Sequence, residues 1–272
     1  MTTVGFDFQL SAIDPAGTPD AQGGKKWGEA ELEAGTIELA DLQSKLYAES
    51  QFGGTRSVLL VLQAMDTAGK GGAVSHVMRA MDPHGVTTVS FKAPTDEEKK
   101  HDFLWRIRPH LPKPGMVGVF DRSHYEDVLI HRVRGFSSPE VIEERYSLIN
   151  AFESELVASG TAIVKVMLHI SKDEQKRRLL ARLDDPTKQW KFNPGDIDER
   201  EKWDAYQEAY QIALTRTSTP DAPWHVIPAN HKWYARLAVQ RLLLDALRTI
   251  HPQWPTPDYE VAVQRARLTN AS

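Results

Sequence analysis

An apolar run that leads into a glycine- and lysine-rich turn places the strongest constraint on the fold of this 272-residue chain. Residues 58–72 read VLLVLQAMDTAGKGG, and a helical pattern follows them. A turn of this kind presents backbone N–H groups at a helix N-terminus, where a phosphate meets unpaired donors, the helix dipole and a lysine charge. The pattern therefore predicts a phosphate-binding loop between a strand and a helix, formed by Ala68, Gly69, Lys70, Gly71 and Gly72.

The loop departs from the common Walker A pattern, G-x-x-x-x-G-K-[ST], at three positions. Ala64 replaces the first glycine, Gly71 replaces the hydroxyl that holds Mg²⁺, and Asp66 lies inside the loop. An aspartate repels the phosphate that such a loop holds, so a cation must lie between the two. Because Mg²⁺ is held by one or two carboxylates together with phosphate oxygens and water, we expect Asp66 to be a metal ligand or a general base. The alternative is a flexible turn with Asp66 hydrated at its edge.

Composition limits the class of protein. The chain is 41% hydrophobic and 26% charged, contains no cysteine and has a net charge of −4. These values are typical of a globular protein, and the lack of cysteine excludes disulfides and thiolate chemistry. The acidic balance argues against nucleic-acid binding. Because the chain has neither a long apolar run nor a leader pattern, we expect a cytoplasmic protein that does not bind membranes.

Alternating strand and helix patterns predict an α/β fold. The predicted strands are short runs rich in Val, Ile or Phe, as in buried parallel sheets, at 57–63, 86–91, 116–121, 162–170 and 224–229. Helices are predicted at 29–49, 70–80, 96–108, 139–159, 172–183, 198–217 and 233–250, with a short one from about 258. We therefore expect a three-layer α/β/α sandwich around a five-stranded parallel sheet.

A second carboxylate ends the third predicted strand. Asp121 closes the run MVGVFD and so lies at the carboxyl edge of the sheet, where open α/β proteins bind ligands. Asp121 can hold a metal directly or through water, and the adjacent Arg122 can bind phosphate oxygens. The alternative is an aspartate that only caps a turn.

The polar stretch SHYEDVLIHRVR follows at residues 123–134. Its side chains are expected to lie in part at the same edge of the sheet. His124 is either a proton shuttle or a structural histidine. Glu126 and Asp127 are either general-base or metal groups, or ion-pair partners of the nearby arginines, and the sequence leaves these alternatives open.

The segment 171–191 is basic in an acidic chain. It carries seven Lys and Arg residues against four carboxylates. Arg178 and Arg182 are four positions apart, so they share a helix face and can bind a polyanion together. A turn-rich stretch that contains Lys188 follows, and we interpret the whole as a mobile lid that excludes water from phosphoryl transfer. The alternative is a solvated charged helix with a loop.

With these motifs in place, residues 30–250 resemble the family-2 polyphosphate kinases. The resemblance rests on six segments: 66–72, 91–95, 101–106, 120–127, 183–192 and 222–228. Members of that family are similar to thymidylate-kinase-type P-loop proteins with a helical lid. We accordingly divide the chain into a flexible N-terminal arm (1–28), a P-loop kinase domain (29–250) with its lid at about 171–198, and a C-terminal extension (251–272).

The resemblance implies a polyphosphate-dependent nucleotide kinase that moves a phosphoryl group between inorganic polyphosphate and AMP or ADP. It implies Mg²⁺ as the cofactor, with Mn²⁺ as a substitute, and a homodimer or homotetramer in which the helix at 29–49 is a contact surface. It places the metal on Asp66 and Asp121 and assigns catalysis to Asp66, Lys70, Asp121, Arg122 and Arg178. It assigns substrate binding to Ala68, Gly69, Gly71, Gly72, Lys92, Arg106, Tyr125, Glu126, Arg132, Arg182 and Lys188.

Two other functions compete with this one. An ATP-dependent kinase for a small molecule or nucleotide would use the same loop. Against it, the hydroxyl that normally serves the metal of bound ATP is missing after Lys70. A non-catalytic module that binds phosphate or nucleotide would require neither two strand-end carboxylates nor a lid.

Overall fold

A six-stranded sheet forms the centre of the computed structural model, which describes residues 1–271. The strands are β1 (Thr2–Thr3), β2 (Ser57–Ala64), β3 (Val86–Ser90), β4 (Val117–Asp121), β5 (Thr161–His169) and β6 (Trp224–Pro228). Their order is β1-β6-β5-β2-β4-β3, and all neighbours are parallel except β1, which is antiparallel to β6. The α/β class and the five parallel strands are confirmed. The sixth, antiparallel strand was not predicted.

Two groups of helices flank this sheet. The helices are α1 (Lys25–Ser50), α2 (Lys70–Met78), α3 (Ile130–Arg134), α4 (Pro139–Ala158), α5 (Lys172–Leu183), α6 (Gly195–Glu201), α7 (Trp203–Thr217), α8 (Lys232–Ile250) and α9 (Val261–Asn270). α8 contacts β2, β5 and β6 and packs against α1 and α2, whereas α4 contacts β5 and packs against α7. Every residue of β2 is buried, as expected for a central strand between two helix layers.

Strand register brings the two loops of interest together. β2 lies between β4 and β5, and Leu62 of β2 pairs with Asp121 of β4. The loop that follows β2 and the turn that follows β4 therefore leave the same edge of the sheet side by side.

One predicted helix is wrong. Residues 96–108 form only short 3₁₀ turns, at Glu98–Lys100 and from Arg108 onward. The predicted capping box does form, with Thr95 N donating to Glu98 Oε2 at 2.6 Å and Glu98 N donating to Thr95 Oγ1 at 3.2 Å. The helix does not continue because the Asp102 carboxylate accepts from Leu104 N at 3.0 Å, a local turn that competes with helical pairing.

The first residues make specific contacts with the domain. Val4 N donates to Trp224 O at 2.9 Å, and the side chains of Val4, Phe8 and Leu10 are buried. Gln211 of α7 accepts from Leu10 N at 2.7 Å. These contacts go beyond those expected of a loose arm, while the division of the chain into three parts remains a prediction. No helix within residues 1–271 combines the length and apolar character needed to cross a bilayer.

Candidate active site

The loop after β2 has the backbone shape that phosphate binding requires. Thr67 and Gly69 adopt left-handed conformations, with φ of 65° and 110°. Gly69 precedes α2 without a side-chain cap, so the first N–H groups of that helix are left for a ligand. Lys70 Nζ donates to Ala64 O at 3.2 Å, which folds its side chain back along the loop. The predicted strand, loop and helix are therefore in place.

Asp66 and Arg122 form an ion pair where the two loops meet. Arg122 Nη2 donates to Asp66 Oδ1 at 2.8 Å. Although burial acts in the opposite direction, the carboxylates of Glu126 and Asp66 raise the pKa of the Arg122 guanidinium. Arg122 has a left-handed φ of 65°, which is uncommon for a residue other than glycine. Arg122 thus supplies part of the positive charge that the Asp66 carboxylate requires in a loop that binds phosphate.

The donor set is consistent with Mg²⁺. Asp66 and Asp121 line one groove, and no cluster of three or more carboxylate or imidazole groups that could hold a metal occurs within residues 1–271. Mg²⁺ commonly takes one or two carboxylates and completes its shell with phosphate oxygens and water. These two residues could therefore hold Mg²⁺ together with a phosphate substrate.

The groove has a volume of about 910 Å³ and is strongly basic. Its walls carry two carboxylates against ten bases, namely Lys70, Lys92, Arg122, Arg177, Arg178, Arg182, Lys188, Lys191, Lys232 and Arg236. Four of these were not among the predicted site residues: Arg177, Lys191, Lys232 and Arg236. The last two are four positions apart at the start of α8, a spacing that would have revealed a shared basic face.

Arg178, to which catalysis was assigned, has its guanidinium bound by the protein itself. Its side chain is 5% exposed, and its guanidinium has five N–H groups. These donate to the carbonyl oxygens of Thr67 (3.0 Å), Ala68 (2.7 Å), Ala229 (2.6 Å) and Asn230 (3.1 Å), and to Glu174 Oε1 (2.6 Å). Because every donor is used within the protein, Arg178 supports the phosphate-binding loop in this conformation and has no N–H group free for substrate.

A second, smaller cavity of about 210 Å³ has the Asp66–Arg122 ion pair in its wall. It shares Asp66 and Arg122 with the groove, and it is acidic where the groove is basic. Its further lining is Ala64, Met65, Glu126, Leu129, Ile130, Asn193, Gly195, Asp196, Glu199, Tyr206 and Tyr210. Burial raises the pKa of Glu126 and of Asp196. Of these further residues only Glu126 was a predicted site residue, and the single helix predicted at 198–217 is in fact two, α6 and α7.

Three predicted substrate-binding residues lie outside both cavities. Tyr125 is fully buried and cannot contact substrate without leaving its partners. Arg106 is 7% exposed and donates to Lys92 O at 2.8 Å, so it acts on the backbone of Lys92 and not on a ligand. Arg132 faces Glu208 of α7 at 3.7 Å.

A buried polar network lies behind the turn that follows β4. Lys165 of β5 is fully buried and donates to Glu153 Oε2 at 2.6 Å, to Thr217 O at 2.6 Å and to Tyr125 OH at 3.1 Å. Tyr125 OH donates to Glu153 Oε1 at 2.8 Å. Although burial opposes it, Lys165 and then His124 lower the pKa of Glu153. His124 is fully buried beside Glu153, with 3.3 Å between its Nε2 and Glu153 Oε1, and the network fixes the turn that begins at Arg122.

The site and fold have close counterparts among known proteins. A family model described as Polyphosphate kinase 2 matches residues 22–255. An AMP/ADP-polyphosphate phosphotransferase of Meiothermus ruber is 46% identical over 254 residues, which cover 92% of each chain. An ADP-polyphosphate phosphotransferase of Rhodopseudomonas palustris is 42% identical over 233 residues, 80% of this chain and 78% of that one.

A solved structure agrees along nearly the whole chain. The crystal structure of Polyphosphate Kinase 2 from Arthrobacter aurescens matches with a TM-score of 0.97 and 59% sequence identity. The match covers 99% of this chain and 95% of the other.

Proposed function

The chain belongs to the polyphosphate kinase 2 family, and from this premise we propose that it transfers phosphoryl groups between inorganic polyphosphate and AMP or ADP. The observation that carries the proposal is the groove, in which ten bases face two carboxylates beside a phosphate-binding loop. A single nucleotide does not require a basic wall of this extent, whereas a phosphate chain does. A local basic groove also explains how a protein with a net charge of −4 binds a polyanion.

The reaction is an in-line displacement at phosphorus. An oxygen of the acceptor's terminal phosphate forms a bond to the terminal phosphorus of polyphosphate, and the bond from that phosphorus to its bridging oxygen breaks. The shortened polyphosphate leaves with the electron pair. Because the attacking oxygen is already ionised at neutral pH, the protein's main task is to position the two anions and neutralise their charge. Lys70, Arg122 and Arg182 supply this charge.

We assign Mg²⁺, with Mn²⁺ as a substitute, to Asp66 and Asp121. When bound, the ion supplies positive charge between these carboxylates and the phosphate oxygens. The protein's own residues then orient the phosphates: the N–H groups at the start of α2 and Lys70 from one side, and Arg122 from the other.

We place the acceptor's nucleoside in the small cavity. Four carboxylates, those of Asp66, Glu126, Asp196 and Glu199, face one arginine there, and such a cavity repels a phosphate chain. It suits the ribose hydroxyls and base N–H groups of a nucleoside, which carry no charge and donate hydrogen bonds. The acceptor's phosphate would then meet the terminal phosphate of a polyphosphate bound in the groove. The two would meet at the Asp66–Arg122 pair, which lines both cavities.

The test is a direct assay. Purified protein with Mg²⁺ and polyphosphate should convert ADP to ATP, or AMP to ADP, and should form nothing when polyphosphate is omitted. If ATP with a small-molecule acceptor gives turnover and polyphosphate does not, the protein is an ATP-dependent kinase. Binding of phosphate without turnover of any acceptor would identify a non-catalytic module.

Assembly and location remain predictions. We expect a homodimer or homotetramer, which light scattering on purified protein measures, and a cytoplasmic location. Neither is required for the chemistry proposed above.

A further inference from the structure

The backbone of the phosphate-binding loop is held from α5 as well as from its own strand and helix. Gln175 is 1% exposed, and its Nε2 donates to Asp66 O at 3.1 Å. One turn further along α5, Arg178 donates to Thr67 O and Ala68 O. Three consecutive carbonyl groups of the loop are therefore fixed by two side chains of one helix.

These contacts surround a strained residue. Thr67 has a φ of 65°, a left-handed conformation that is strongly disfavoured for a β-branched side chain. Such a conformation persists only where the surroundings over-determine it. Gln175 and Arg178 donate to the carbonyl groups of the two peptides that flank Thr67, so they hold its conformation and with it the shape of the loop.

Gln175 also accepts a hydrogen bond from α6. Arg200 Nη1 donates to Gln175 Oε1 at 3.2 Å and also donates to Lys172 O. α6 carries Asp196 and Glu199, which line the small cavity. Hydrogen bonds therefore connect Arg200, on the helix that carries two residues of the small cavity, through the Gln175 amide to the backbone of Asp66.

We propose that Gln175 is a positioning residue that holds the phosphate-binding loop in its substrate-binding conformation, and that Arg200 makes this depend on the position of α6. The amide is suited to the task because its nitrogen donates to the loop while its oxygen accepts from α6. An α6 that closes around an acceptor thereby fixes the loop that holds the donor. The positioning role rests on the proposed function only in taking the ligand of the loop to be a phosphate chain, and the coupling to α6 rests also on the proposed placement of the acceptor in the small cavity.

The experiment compares Gln175→Met with Gln240→Met. Methionine keeps the volume of glutamine and removes both hydrogen-bonding groups. Gln240 is a matched control, since it is also 1% exposed and donates Nε2 to one backbone carbonyl, Leu32 O, at 2.9 Å between α8 and α1. Two quantities are measured: hydrogen–deuterium exchange of the loop without ligand, followed at Ala68, whose N–H donates to Met65 O at 3.2 Å, and KM for polyphosphate.

A buried hydrogen bond changes an equilibrium by about a factor of ten. We expect Gln175→Met to accelerate exchange in the loop by about tenfold and to raise KM for polyphosphate by a similar factor. Gln240→Met should change neither, even if both variants lose similar thermal stability. Equal loop exchange in the two variants overturns the positioning role. Because the exchange is read without substrate, this result is independent of whether polyphosphate is the true donor.

The link to α6 has its own variant. Arg200→Gln leaves the bond from Gln175 to Asp66 possible and removes the contact from α6. This variant should also accelerate exchange in the loop, by a smaller factor than Gln175→Met does. If exchange is unchanged in Arg200→Gln, the coupling to α6 is overturned. If Gln175→Met does not fold, Gln175→Glu replaces it, because the glutamate still accepts from Arg200 but has no donor for Asp66 O.

Discussion

The start of α8 offers a sharp test of how the groove binds a phosphate chain. Lys232 and Arg236 line the groove, and Arg236 lies against Gly72 at the beginning of α2. Burial, followed by the charges of Arg178 and Arg177, lowers the pKa of Lys232. This repulsion among like charges is relieved when a polyanion binds. We expect the double variant Lys232→Gln/Arg236→Gln to weaken binding of the phosphates beyond the reacting end.

The size of the effect follows from the number of contacts. A solvent-exposed ion pair contributes up to about 1 kcal/mol, so the loss of two contacts costs about 2 kcal/mol, or a factor of about 30 in affinity. By analogy with single-stranded nucleic acids, each lost contact should also reduce the slope of log affinity against log salt by about 0.7. The turnover number should stay nearly constant, because neither side chain belongs to the Asp66–Arg122 pair at which we place the reacting phosphorus.

The assay follows ATP formed from ADP at increasing polyphosphate concentration, at several salt concentrations, with long chains and with tripolyphosphate. The control is Arg241→Gln/Arg248→Gln, which removes the same charge from the same helix. These arginines are paired outside the groove with Glu31 at 3.2 Å and Glu38 at 2.6 Å. An equal rise in KM for the control, or an equal rise for short and long chains, would refute the reasoning.

Three further predictions concern the metal ligands, the buried network and pH. Asp66→Asn and Asp121→Asn should each lower turnover by at least about 100-fold with unchanged circular dichroism, because they remove the carboxylate charge for the metal. Substantial turnover at saturating Mg²⁺ would contradict that assignment. Lys165→Met should cost about 3–5 kcal/mol in urea unfolding, since it leaves the buried carboxylate of Glu153 without its lysine partner. Adding Glu153→Gln should restore most of the loss, and a double variant no more stable than the single one would argue against it. Burial lowers the pKa of His169 from 6.5 to about 4, so the unfolded state binds its proton first. As the pH falls from about 6.5 to about 4, this difference should lower the free energy of unfolding by up to about 3 kcal/mol. The contribution is fully present above about pH 6.5. His169→Gln should flatten that slope in urea titrations at about pH 7.5 and about pH 4.5, and an unchanged slope would exclude His169 as its source.

The parts of the fold that could be predicted are those in which a local sequence pattern alone decides the structure. The five parallel strands are apolar runs bounded by turn residues, and they form where predicted. β1 has two residues, Thr2 and Thr3, which are too few to leave a pattern. The helix expected at 96–108 failed because a capping box specifies only how a helix starts. Whether it continues depends on competing turns such as that of Asp102.

The residues of the candidate site that could be predicted are those whose place is set by the ends of neighbouring strands. Asp66 and Lys70 follow β2 and Asp121 and Arg122 lie at the end of β4, so parallel pairing alone brings them to one edge. The role of Arg178 could not be inferred in this way. Its main partners are backbone carbonyl groups more than 50 positions away, which carry no signal in the identity of the side chains.

The two cavities meet at one ion pair but take their other walls from different parts of the chain. The small cavity is closed by α6 and α7, and the groove by the phosphate-binding loop, α5 and α8. If the acceptor's nucleoside binds in the small cavity as proposed, substitutions at Asn193 or Tyr206 should alter the choice of acceptor while the groove keeps its lining. On the proposed placement of the nucleoside, acceptor preference can diverge through α7 with little effect on the groove, whereas changes in α6 also reach the groove through Arg182 and Gln175.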